Sequence, residues 1–249
     1  MVLSLFFGGV ITAIPVVTGV AEGVSHQKQQ NAEAAELAKR MIKFHLDVFR
    51  DAKSSVRDKV HGMTVVLKND RLYLAPKDPG TGNPLSTARD NGKATHPFMG
   101  FYIEYPDPEL HPDTRGLVST ISLDPPMLNW IYMDKETQEL KYGNRTQSRE
   151  HIVGPWDWTS DEPGSGLTLD DWEGFVAVEE VDEMGKLTGE WTIYYDYYDN
   201  GLKGKVEGRR TLECSLERRI CADEMQLEQN QINVKTRGNI GVVDQSVRK

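Results

Sequence analysis

Charge is absent from the first 21 residues. Met1 to Ala21, MVLSLFFGGVITAIPVVTGVA, hold no Asp, Glu, Lys, Arg or His. Nothing basic precedes Lys28, so the segment lacks the basic n-region of a secretory signal, although Gly19-Val20-Ala21 would serve as a cleavage site. Its length just meets the roughly 20 apolar residues that a spanning helix needs. Gly8, Gly9, Pro15 and Gly19 weaken a static span. Two further readings stay open. The segment is a helix buried in the core, or a conditional one that inserts into lipid on activation.

Cysteine is nearly absent too. Cys214 and Cys221 are the only two, which excludes a disulfide framework. Both fall in one expected strand and face opposite sides of it. Two reduced, partly buried thiols and a reducing, intracellular compartment follow. Asn144-Arg145-Thr146 is a glycosylation sequon, of a kind that arises by chance. Catalytic signatures are missing as well: no G-x-S-x-G, P-loop, H-E-x-x-H or C-x-x-C run occurs. The six histidines, at 26, 45, 61, 96, 111 and 151, show no metal-ligand spacing. No internal repeat is evident. The sequence therefore predicts no enzyme, no metal and no cofactor.

What is present is an acidic, globular composition of 249 residues with net charge −9. The charge is uneven. Residues 1–77 carry 11 basic and 7 acidic side chains, and the rest 18 and 31. The acidic body argues against nucleic acid as a partner. Lys28, Lys39, Arg40 and Lys43 cluster just after the apolar segment, where they suit an anionic lipid surface or a solvated helix face.

Helix formers fill residues 24–40. The period then changes to two: Ile42, Phe44, Leu46 and Val48 alternate with Lys43, His45 and Asp47, which predicts a strand from about residue 41. Further strands are expected at Met63–Leu67 and 71–74 around an Asn69-Asp70 turn. Others are expected at Phe98–Tyr105, at Leu117–Leu123 stopped by Pro125-Pro126, and at 129–133 and 140–142. A hairpin follows from 174–181 and 190–198, with a turn signal at Asn200-Gly201. The last strand is a long one from Val206 to Arg219, interrupted at Gly208. Residues 76–97 read as loop. In the tail, Ile232, Val234 and Thr236 alternate as a short β-prone stretch. The expected class is α+β: a strand-rich body with a twisted antiparallel sheet, preceded by an N-terminal helix.

All five Trp residues (130, 156, 158, 172 and 191) fall in one block, joined by Tyr194, Tyr195, Tyr197 and Tyr198. The block is an aromatic binding platform, an interfacial belt or the packed centre of a sheet. Asp196 to Gly201 faintly resembles a calcium loop, but it lacks the ligands that such a loop needs at its third and twelfth positions. It reads as a hairpin end.

Two hairpins, 41–50 with 60–75 and 174–181 with 190–198, pair an apolar with a polar face. That pattern also suits a membrane barrel. With the wording LKYGNRTQSREHIVGPWDWTSDE, LDDWEGFVAVEE and GRRTLECSLERR, the chain resembles the filamentous-fungal branch of gasdermin-like pore-forming proteins, regulators of cell death in non-self recognition. The resemblance implies a pore-forming domain over 1–221 (a helix over 1–40, a β-rich body over 41–221) and a short tail over 222–249. It implies oligomerisation on an acidic phospholipid membrane, as a homo-oligomer or with a divergent allelic partner. The protein would be cytoplasmic when inactive and at the plasma membrane when active. Leu3, Leu5, Phe6, Phe7, Ile11 and Ile14 would contact the membrane, and Lys28, Lys39, Arg40 and Lys43 its acidic lipids. Strands bearing Ile42, Phe44, Leu46 and Val48, and Trp191, Ile193, Tyr195 and Tyr197, would insert. The alternative is a soluble β-barrel or sandwich that binds a small ligand or carbohydrate through the Trp/Tyr block. A hydrolase centred on a residue such as His151 has no spacing to support it.

Overall fold

The structure, a computed structural model, describes residues 30–32, 34–50, 59–85, 95–123, 125–162 and 164–222. The chain divides into two compact units, Met1–Arg40 and Met41–Lys249. In the first, residues 34–40 are helical (α1), as the run of strong helix formers predicts. Within α1, Lys39 pairs with Glu36 at 3.3 Å.

The second unit is mostly antiparallel strand. In chain order the strands are β1 (Phe44–Phe49), β2 (Thr64–Lys68), β3 (Arg71–Ala75), β4 (His96–Pro97), β5 (Gly100–Glu104), β6 (Arg115–Leu123) and β7 (Pro126–Met133). Then come β8 (Leu140–Gly143), the short helix α2 (Arg145–Ser148), β9 (Trp156–Trp158), β10 (Leu167–Leu169), β11 (Phe175–Val181), β12 (Leu187–Tyr195), β13 (Thr211–Glu213) and β14 (Ser215–Ile220).

The ladder closes on itself. Antiparallel pairing runs β3–β8–β7–β6–β5–β1–β2 and back to β3. Closure pairs strand edges that would otherwise template association. Three junctions are narrow, each a single register pair: Phe44↔Gly100, Asp47↔Thr64 and Arg71↔Lys141. Outside the ring, β12 joins β3 and carries β11 and β13, while β14 lies along β1 through six pairs from Phe44↔Ile220 to Phe49↔Ser215. β9 and β10 form a separate hairpin.

Every strand except β4 sends at least one side chain into a common core. Phe44, Leu46 and Val48 of β1 meet Leu117, Ile131, Trp156, Phe175, Ile193 and Leu216 there, all nearly inaccessible. The period-two alternation read in the sequence is therefore the signature of a one-sided buried strand.

Several expectations need correction. Residues 41–50 do pair antiparallel with 60–75, but only briefly, at Asp47↔Thr64 and through the Val48 hydrogen bonds with Gly62 and Met63. β1 begins at Phe44 and takes β14 as its main partner, and the local hairpin is β2–β3. Its turn is Asn69-Asp70, both at positive φ (52° and 60°), as the residue types predict. Pro125-Pro126 does stop β6 at Leu123, as expected, and Pro126 opens β7 opposite it. The long strand expected over 206–219 is broken. Residues 202–209 are turns that fold Leu202 and Val206 against Val176, Val178 and Tyr194, and the strand resumes only at β13 and β14. Cys214 thus lies between two strands and Cys221 beyond the second; neither is in a disulfide and both are buried. In the sequon, the Asn144 side chain caps α2 by accepting the Gln147 amide at 3.1 Å, with Gln147 answering in a capping box.

Candidate functional site: an aromatic and acidic cleft

The structure scatters the residues expected to act at a membrane. Leu3, Leu5, Phe6, Phe7, Ile11, Ile14 and Lys28 lie outside the described residues, as does the 232–236 stretch. Lys39 is exposed and paired with Glu36. Arg40, Ile42 and Lys43 are half-buried, and the Lys43 carbonyl accepts the Cys221 amide at 3.0 Å. Phe44, Leu46, Val48, Trp191, Ile193 and Tyr195 point into the core. Tyr197 lies past the end of β12 and is partly exposed. Among the described residues no helix is long and apolar enough to cross a membrane.

The aromatic block divides. Trp156 and Trp191 are buried, and Trp130 and Trp158 are half-buried against other rings. Trp172 differs, with 50 % of its surface open. It follows a two-residue turn, Asp170-Asp171, whose φ values of 53° and 59° suit a tight hairpin turn. Leu169 and Trp172 exchange backbone hydrogen bonds of 3.0 and 3.2 Å across it. The Tyr195 hydroxyl, rising from the core, donates to the Leu169 and Trp172 carbonyls and fixes the turn from below. The indole then lies against Gly174, where a Cβ would come within 2.1 Å of its nitrogen. Only glycine leaves that space.

Trp172 borders a cleft of about 360 Å³ between the start of β11 and the junction of β13 and β14. Phe49 at the end of β1 adds a second open ring. Between them stand Glu173, Glu213, Asp196 and Asp199, with Arg50 opposite in charge. The Asp196 carboxylate is already engaged by the amides of Asn200 (3.1 Å) and Gly201 (2.7 Å), so the segment that resembled a calcium loop is a tight turn. Cys214 lies beneath the cleft, where burial pushes its thiol up to about 12. A thiol so high is no nucleophile at neutral pH.

A second cleft of about 420 Å³ adjoins the first and shares Phe49, Glu173 and Ser215 with it. Its far wall is the loop between β9 and β10, with Thr159, Ser160, Ser165 and Gly166, and its floor includes Glu217 of β14. Glu173 fits because Gly166 has no side chain; a Cβ there would lie 2.5 Å from the carboxylate. Ser215 Oγ donates to Glu173 at 2.7 Å. Burial, together with the charges of Asp47 and Glu173, lifts the Glu217 carboxyl above its ordinary range against the opposing pull of His61 and Lys77.

Other chemistry does not assemble. Among the described residues no cluster of three His, Cys, Asp or Glu side chains could hold a metal. His151 accepts the Lys135 amide at 3.3 Å and stacks on Tyr132, while His45 and His111 bond to backbone carbonyls at 2.7 Å. Sequence reasoning named Trp172 only as one of five and missed Phe49, Glu173 and Ser165. The signal at hand was the pairing of an Asp-Asp turn with glycines at 166 and 174.

The model of the family described as the fungal beta-trefoil domain matches residues 19–222, most of the chain. No curated protein and no solved structure matches it. The family match overturns the resemblance to gasdermin-like pore formers and with it the pore-forming, cell-death function. A polar-and-apolar strand pattern serves a closed soluble ladder as well as a membrane barrel, and here the apolar faces are spent on the core.

Proposed function

This chain belongs to the fungal beta-trefoil domain family, and we propose that its strand-rich body binds a carbohydrate without catalysing a reaction on it. One observation carries the proposal: Trp172 stands half open at the rim of a cleft bordered by carboxylates. A pyranose has an apolar C–H face and a girdle of hydroxyls. An exposed indole covers the first, and carboxylates accept from the second through short charge-assisted bonds. A concave site with a few convergent polar groups is the common form of a small-ligand site. The support is geometric: a turn, a tyrosine hydroxyl and a glycine hold Trp172 in place. Such prior ordering lowers the entropic cost of binding.

The test is a titration of the full chain with neutral and amino-sugar oligomers, read by tryptophan fluorescence and calorimetry. Binding to at least one of them is expected. Trp172→Ala should weaken it about tenfold or more, as loss of a central aromatic anchor does. Unchanged affinity in that variant would overturn this placement of the site. New reducing ends after long incubation would overturn the non-catalytic part.

A further inference from the structure

Within the adjoining cleft stand Glu162, Glu173 and Glu217, and the last two carboxylates make no ion pair. Among the described residues no lysine or arginine is in ion-pair contact with either, although Lys77 and His61 act on Glu217 from farther off. Their neighbour Asp47, by contrast, is neutralised by Arg219 at 2.8 Å and Lys77 at 2.6 Å. Glu173 keeps one hydrogen bond, from Ser215. The same cleft holds an independent sign of a missing partner. Ser165 is only 6 % exposed, its backbone is tied to Glu162 and Arg218, and its Oγ has no hydrogen-bond partner. A buried hydroxyl left without a partner is destabilising unless a ligand or water supplies one.

We propose that this second cleft takes the protonated primary amine of an amino sugar, with Glu173, Glu217 and Ser165 Oγ as acceptors for its three N–H donors. An ammonium group has three donors and no acceptor, and these three groups line one wall-and-floor arrangement. A sugar is favoured over a peptide amine because the cleft is continuous with the Trp172 cleft through Phe49, Glu173 and Ser215. The hydroxyls of Thr159 and Ser160 also lie beside it. The inference rests on the carbohydrate reading above and narrows it to sugars with a free amine.

The experiment measures the full chain against four probes: a glucosamine oligomer, its N-acetylated counterpart, a glucose oligomer of equal length and a lysine oligomer. The glucosamine oligomer should bind about tenfold or more tighter than its acetylated form, the factor expected of charge-assisted hydrogen bonds. Glu217→Gln and Glu173→Gln should each bring that ratio towards one, and Ser165→Ala should lower it less. Near-ultraviolet circular dichroism confirms that each variant is folded; if one is not, the other two carry the test. Equal or tighter binding of the acetylated or glucose oligomer overturns the amine site and leaves the carbohydrate reading standing. Tightest binding of the lysine oligomer assigns the carboxylates to peptide amines and overturns the sugar. Binding of none of the three sugars overturns the carbohydrate reading and this inference together.

Discussion

At the scale of single residues, two positions decide what the clefts present. Gly174 is one. Its missing Cβ leaves the space that the Trp172 indole occupies, so Gly174→Ala should push the ring out of place. The expected result is a loss of ligand affinity comparable to that of Trp172→Ala, with a fluorescence maximum shifted by the new indole environment. Cys214 is the other. With burial holding its thiol up at about 12, almost no thiolate forms there near neutral pH. Ellman's reagent should therefore leave Cys214 unmodified in the native chain and react with it rapidly in urea. A Cys221→Ser variant isolates its signal. The openness of Trp172 was not legible in the sequence. Trp156, Trp172 and Trp191 are chemically alike, and what separates them is a turn geometry and a glycine contact made across the fold.

At the scale of elements, the clearest device is the clamp at Asp47. Arg219 of β14 and Lys77 of the loop after β3 both grip this one carboxylate on β1, and Arg219 also donates to the Gly82 carbonyl at 2.9 Å. Burial opposes ionisation of Asp47, but the two cations outweigh it and hold the carboxyl below its ordinary range. A carboxylate lowered in the folded state contributes stability above its unfolded value of about 3.9, and that contribution fades as pH falls through the lower folded value. Asp47→Asn should then cost about 1–3 kcal/mol at pH 7, measured by urea denaturation. The gap between variant and native chain should shrink at pH 3 and below. Element by element, much of the strand pattern was legible. Phe44, Leu46 and Val48 alternate with less buried neighbours, whereas β11 and β12 are buried on both faces over Phe175–Glu179 and Trp191–Tyr195. What was not legible was pairing. β1 meets β14 across the length of the chain, and a period-two pattern names a face but not a neighbour. The short pieces β9, β10 and α2 escaped because three or four residues carry too little periodicity to read.

At the scale of the whole molecule, one core serves the ring and the strands added to it. Leu117 of β6 and Leu216 of β14 are both fully buried in it. Replacing either by Ala should cost about 2–5 kcal/mol. If the core is shared, thermal unfolding followed by fluorescence and by circular dichroism should stay a single coincident transition in both variants. Two separated transitions in either would show that the outer strands unfold by themselves. The misleading feature at this scale was the uncharged start of the chain. It lies outside the described residues, and the strand pattern read beside it suits water-soluble and membrane ladders alike.

The pairing of β1 with β14 also sets an order in time. Phe44 finds its partner in Ile220 and Phe49 in Ser215, so a strand made early in synthesis waits for the last described strand. Until residues 215–220 leave the ribosome, β1 has an open edge and Asp47 lacks the Arg219 half of its clamp. Pairings this distant in sequence are slow to form because loop closure comes before any gain from contact. The body therefore completes itself only once β14 has been made, and a nascent chain stalled before Ser215 is held unfinished at its first strand.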